Sequence, residues 1–143
     1  MCIVIDSNVF SPLVNPQASD HKEFQPVLEW IASGKGKVVY GGTTYAKEVS
    51  KHRGFRGFLV QMEHKGKTVN ANCADVDSVA GALSQAIRGS GFNDHHIVSI
   101  VLVSGCKLVC SNDTRLHTLI SICYSGGARA SIKSLIKGIS ANP

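Results

Sequence analysis

The stretch from Asn93 to His117 constrains the fold more than any other part of the chain. It reads Asn93-Asp94-His95-His96, then the run Ile97-Val98-Ser99-Ile100-Val101-Leu102-Val103, then Gly105, Lys107-Leu108-Val109-Cys110 and Ser111-Asn112-Asp113. Ile97, Ile100, Val101 and Ser104 recur at helical spacing, and Val98 and Leu102 fill a neighbouring stripe. The run therefore predicts a helix that is apolar over most of its surface and deeply buried. Gly105 suits the left-handed position that ends such a helix. Leu108–Cys110 is short and apolar, as central parallel strands tend to be. Ligands in open α/β sheets bind at the carboxyl ends of strands. Asp113 is thus expected at the functional edge, with Asp94 at the exposed N-terminus of the buried helix.

The remaining elements follow from the same patterning. Ile3-Val4-Ile5 is a buried strand running into Asp6, with Ser7 and Asn8 as turn or cap residues. Val9-Phe10 and Leu13-Val14 suit one or two helical turns between Pro12 and Pro16, and Gln17 to His21 reads as a loop. Glu23 to Ala32 predicts a helix with Phe24, Val27, Leu28 and Ile31 on one face, and Pro26 fits it only in the first turn. Lys37–Tyr40 is a second short strand. Thr43 or Thr44 is the expected cap of a helix carrying Tyr45, Glu48 and Val49. Phe55, Phe58, Leu59 and Met62 mark another helix after the break at Arg53-Gly54. Thr68–Ala71 is a weakly signalled strand, and Asp75 caps or opens a helix through Val76, Val79, Ala80, Leu83 and Ile87. Past Asp113 a helix through Leu116, Leu119, Ile120 and Cys123 is expected, then a tail that fits either a helix through Ile132–Ile139 or a short edge strand near Arg129–Ile132. Strands alternating with helices, without repeat or linker, predict one α/β domain over residues 1–143, a three-layer α/β/α plan around a mainly parallel sheet.

Composition narrows the function classes. The longest apolar run is far shorter than the ~20 residues that span a bilayer, so no membrane segment is expected. Met1–Asp6 reads as a strand and not a signal peptide. Five cysteines, without framework spacing, suit reduced thiols in a cytoplasmic protein. The net charge of +5 favours an anionic partner. Lys47, Lys51, Arg53, Arg56, Lys65 and Lys67 crowd one stretch, where a solvated helix face competes with phosphate contact as the explanation.

Against that basic background the chain holds only ten acidic residues, and four fall beside element ends. Asp6 and Asp113 follow strands, Asp94 opens the buried helix, and Glu48 rides the helix after the second strand. Singly, each is an ordinary turn, cap or helix-surface residue. Jointly, on one edge of a parallel sheet, they repel one another and lose solvation. A divalent cation removes that cost, and an all-oxygen donor set favours Mg²⁺ or Mn²⁺ over zinc. Such ions activate water and hold phosphate. His95 and His96 read as surface or cap-adjacent residues rather than ligands.

Ile3-Val4-Ile5-Asp6-Ser7-Asn8, Glu48 on its helix, Asn93-Asp94 with Ile97, and Ser111-Asn112-Asp113 with Leu116 together resemble the PIN domain, over Ile3 to His117. The resemblance implies a metal-dependent ribonuclease. Asp6, Glu48, Asp94 and Asp113 would be its catalytic, Mg²⁺- or Mn²⁺-binding set, and Asn8 and Ser111 would support them by hydrogen bonds. Lys47, Lys51, Arg53 and Arg56 would hold the RNA backbone. Many small members are VapC-type toxins held by an antitoxin protein, often as homodimers, and exposed Val9, Phe10, Leu13 and Val14 would serve such a surface, although core packing is the commoner fate of such residues. His95-His96 and the Gly-rich tail around Gly126 depart from the family pattern. Asp94-His95-His96 also spells the DHH phosphoesterase signature, but that family is larger and its further motifs are absent, so the match reads as chance and small-phosphoester hydrolysis stays a minor alternative. A non-catalytic RNA-binding or assembly module of the same fold is the other alternative.

Overall fold

The computed structural model describes residues 1–86 and 94–116. Four strands, β1 (Cys2–Ile5), β2 (Lys37–Tyr40), β3 (Thr68–Asn70) and β4 (Leu108–Cys110), form an all-parallel sheet in the order β3-β2-β1-β4. The helices are α1 (Phe10–Val14), after a 3₁₀ turn at Ser7–Val9, α2 (His21–Ala32), α3 (Thr43–Lys51), α4 (Arg53–His64), α5 (Cys73–Ala86) and α6 (His95–Ser104). One helical layer is α5 against α6, with α6 on β1 and β2; the other joins α1 to α2 and α4, with α4 on β2 and β3. The result is the expected three-layer α/β/α fold.

Register carries the site. Ile3 pairs with Val38 on one side and Leu108 on the other, and Ile5 with Cys110. The Asp6 N–H continues the ladder to the Cys110 carbonyl at 2.9 Å. The carboxyl ends of β1 and β4 are thereby level, and the residues just past them, Asp6 and Ser111, lie side by side.

The core is built as the patterning requires. Val4, Ile5, Val38 and Val39 are fully buried, and Ile97, Val98, Ile100 and Val101 on α6 are buried with them. α6 is the apolar-all-round helix expected, and Gly105 ends it at φ 72°. Val9, Phe10 and Leu13 are core residues and Val14 is half-buried, so this segment is not an exposed partner surface. The Phe10 ring stacks on Phe55 at 3.8 Å, tying α1 to α4.

Several local expectations are corrected. β4 is an edge strand among the described residues, with Leu108 40 % exposed; its brevity reflects an edge, not a centre. Pro26 lies beyond the first turn of α2, and because both Pro26 and Lys22 are exposed, water can satisfy the carbonyl that the proline leaves without a partner. Neither Thr43 nor Thr44 caps α3. Gly42 takes that place at φ 86°, and the Asp77 carboxylate of α5 accepts from the Thr43 N–H at 2.8 Å and from its hydroxyl at 2.5 Å. α5 is capped by Asn72, whose Oδ1 accepts from the Asp75 N–H at 3.0 Å, and not by Asp75. The expected features at Ile87, Gly89–Gly91 and beyond Leu116, the tail alternatives included, lie outside the described residues. Among those described, no helix is long and apolar enough to cross a membrane.

Candidate metal centre

Asp6 leaves β1 at the end of a run of buried residues and is itself 2 % exposed. A carboxylate so placed needs partners. Ser111, just past β4, donates its hydroxyl to Asp6 Oδ2 at 2.7 Å. The Ser111 oxygen in turn accepts from the Asp113 N–H at 3.0 Å and from Asn8 Nδ2 at 3.4 Å. Asn8 Oδ1 accepts from the Asn112 N–H at 3.3 Å. Asn8 and Ser111 thus stitch the two loops past β1 and β4 together.

Asp94 is the N-cap of α6, yet its side chain makes no capping bond. Its carboxyl is pushed up to about 6, first by burial, then by the Asp6 charge and by a hydrogen bond to Asp113; the nearby His96 pulls the other way. Asp113 moves oppositely. Burial raises it, but the Arg115 N–H, the bond from Asp94 and the Arg115 guanidinium outweigh that and hold it below its ordinary value. Asp113 Oδ1 takes the Arg115 N–H at 2.9 Å and lies 3.5 Å from Arg115 Nε. Two adjoining carboxyls cannot both stay ionised cheaply. The two shifts run in opposite directions.

Glu48 is differently placed. Its Oε2 lies 3.0 Å from His96 Nε2, linking α3 to α6. His96 is 7 % exposed, cap-adjacent but not a surface residue as its sequence position suggested. Because α6 is apolar over most of its surface and its first turns are buried, a histidine there is buried too and needs a partner; that was the available signal. Tyr45 joins the same region from below. Its hydroxyl donates to the Ile5 carbonyl at 2.7 Å, and burial, then the Glu48 and Asp6 charges, push its ionisation well up. Asp6, Asp94 and Asp113 therefore form one interacting set, with the Glu48–His96 pair as its neighbour.

Asp6, Asp94 and Asp113 offer oxygen donors only, the donor type that hard divalent cations take. Among the described residues no three His, Cys, Asp or Glu side chains converge as a ready-made cage.

The basic stretch is not one patch. Lys47, Lys51, Arg53 and Arg56 are all exposed, but they face different features. Arg53, with Lys65, lines a groove of about 480 Å³ between α2 and α4 floored by Leu28, Phe58 and Met62. Arg56 lines a separate slot of about 200 Å³ beside Tyr40 and Tyr45 at the end of β2. Lys67 is occupied structurally: its ammonium donates to the Ile31 and Gly34 carbonyls at 2.8 and 2.6 Å, closing the C-terminus of α2. His52 likewise caps α4, its Nδ1 accepting from the Phe55 N–H at 3.0 Å.

Fold and site together define an α/β protein with a parallel sheet and an acidic group past the carboxyl ends of β1 and β4. No protein-family model matches the chain, and neither a curated protein nor a solved structure matches it.

Proposed function

We propose that the protein is a Mg²⁺- or Mn²⁺-dependent endoribonuclease that hydrolyses RNA phosphodiester bonds. Asp6, Asp94 and Asp113 would hold the cation, with Glu48 beside them. The observation that carries this reading is the placement of Asp6, Asp94 and Asp113 at one sheet edge, with Asp6 buried and the Asp94 carboxyl pushed up to about 6 by burial and by the Asp6 charge. Keeping that much negative charge half-buried costs stability, and a cation of charge +2 relieves the cost. When bound, the ion supplies activation of a water molecule and offsets charge on the phosphate. The protein's own groups do the rest. Ser111 fixes one oxygen of Asp6, Arg115 turns Asp113, and the exposed Lys47, Lys51, Arg53 and Arg56 meet the RNA backbone. Action in the cytoplasm, as a toxin restrained by an antitoxin, is part of the proposal and follows from the resemblance to PIN domains.

A second reading has one observation in its favour: the absence of a preformed three-ligand cage among the described residues. On that reading the protein binds RNA without cutting it. The test is incubation of labelled total RNA with the purified protein in Mg²⁺, Mn²⁺ or EDTA, alongside Asp6→Asn. Cutting that needs the metal and is lost in the variant supports the nuclease. RNA binding that survives EDTA, with no cutting under any condition, supports the binding module.

A further inference from the structure

The amino ends of β1 and β4 carry a pair of thiols that the acidic edge does not use. Cys2 opens β1, and Cys106 stands two residues before β4. The pairing of Ile3 with Leu108 sets Cys2 opposite Lys107, so Cys106 is its diagonal neighbour. With strands about 4.8 Å apart and a rise of about 3.3 Å per residue, that offset puts the two Cα atoms about 6 Å apart, inside the roughly 4.4–6.8 Å that disulfides span. Gly105, at φ 72°, turns the chain out of α6, and the Ser104 hydroxyl oxygen accepts from the Cys106 N–H at 3.1 Å. Cys106 is thereby turned inward. It is 1 % exposed, its Sγ donates to the Leu108 carbonyl at 3.5 Å, and it shares a hydrogen bond with the Cys2 thiol. Burial, then that bond, push the Cys106 thiol up to about 12. Cys2 is half-buried beside the exposed Met1, so a small molecule reaches it first. Both sulfurs are unoxidised thiols.

We propose that Cys2 and Cys106 form a redox modification site, which a low-molecular-weight disulfide converts to a bond between β1 and the approach to β4. The Cys2 thiolate attacks one sulfur of the small disulfide and expels one thiolate, leaving a mixed disulfide on Cys2. Cys106 gives up its proton as its sulfur attacks the Cys2 sulfur and expels the second thiolate. The two protons from the protein end on the two released small thiols, so one disulfide is reduced as the other forms. The new bond ties the edge strand β4 to its neighbour and closes most of the chain into one loop, which constrains the unfolded state. The site lies at the opposite end of the sheet from Asp6 and Asp113 and does not depend on the nuclease reading.

The test treats the reduced, full-length protein with oxidised glutathione, alkylates the remaining thiols, and maps the peptides by mass spectrometry without reduction. The expected result is a peptide pair cross-linked through Cys2 and Cys106 and separated again by dithiothreitol. The linked form is expected to unfold about 5 °C or more above the reduced form. Cys106→Ala is expected to stop at the mixed disulfide on Cys2, and Cys2→Ala to leave Cys106 a thiol. Thermal unfolding of the reduced variants checks their folding; where one fails to fold, the map of the parent protein decides. A parent protein in which Cys2 stays a thiol, or stops at the mixed disulfide with Cys106 still a thiol, overturns the proposal. So does a bond from either residue to another cysteine. A linked form that unfolds no higher than the reduced protein overturns the fit of the bond to this register.

Discussion

Replacing Asp94 by asparagine removes a charge that the metal-free protein carries at a cost. The carboxyl is held at about 6 against an ordinary 3.8, which at full strength corresponds to about 3 kcal/mol. Asp94 is only half-buried, so water screens most of that, leaving about 1 kcal/mol. The folded chain binds this proton more tightly than the unfolded chain. The resulting stabilisation is complete below pH 3.8 and is lost as pH rises through about 6. Asparagine cannot lose it, and it forfeits no capping bond, because the Asp94 side chain makes none. In chelator, Asp94→Asn is therefore expected to match the parent protein in stability near pH 4 and to exceed it by about 1 kcal/mol above pH 7. Urea unfolding at a series of pH values reads this directly. A variant that is less stable by a constant amount at every pH would refute the reasoning, since Asp94 would then be a plain structural cap. With RNA and metal supplied, the same variant is expected to lose cleavage.

Other perturbations test the surrounding framework. Ser111→Ala leaves a 2 % exposed carboxylate without its 2.7 Å donor, which is expected to destabilise the protein by about 2–3 kcal/mol in denaturant unfolding. Gly42→Ala forces a side chain onto φ 86° with its Cβ 2.6 Å from Val76 Cγ1; a loss of about 2–4 kcal/mol is expected by the same measurement. Lys67→Met is expected to cost about 1–2 kcal/mol of stability by freeing the end of α2, with RNA affinity unchanged. Lys51→Ala, by contrast, is expected to leave stability alone and to reduce the salt dependence of RNA binding by about one charge.

What could be read in the sequence was whatever hydrophobicity and chain direction determine together. β1, β2 and α6 are apolar runs closed by glycine or a carboxylate, and they stand where the pattern put them. Asp6 and Asp113 were legible for the same reason, each being the first acidic residue past an apolar strand. What was not legible depends on partners distant in sequence. Asp77 holds the start of α3 from 34 residues away, so the local Thr43-Thr44 pair was a misleading cap signal. Thr68–Asn70 is weak in sequence because only Thr68 is even half-buried. Leu108–Cys110 looked central because it is apolar, whereas burial of an edge strand depends on what covers it. In the site, the Glu48–His96 bond joins helices 48 positions apart, and no spacing rule connects them. The basic stretch misled through proximity in sequence alone: Lys67 turns inward to backbone carbonyls, and Arg53 and Arg56 face different hollows.

On the nuclease reading, the Asp6, Asp94 and Asp113 group binds a cation in competition with the proton that Asp94 takes up below about pH 6. Metal binding to such a group releases protons. The direct measurement is calorimetric titration with Mn²⁺ near pH 6 in buffers of different protonation enthalpy, for the parent protein and for Asp94→Asn. The expected result is saturable binding with a fraction of a proton released per ion, tightening as pH rises through 6, and no such release in the variant. Binding that is absent, or equally strong and free of proton release in both proteins, would contradict the account.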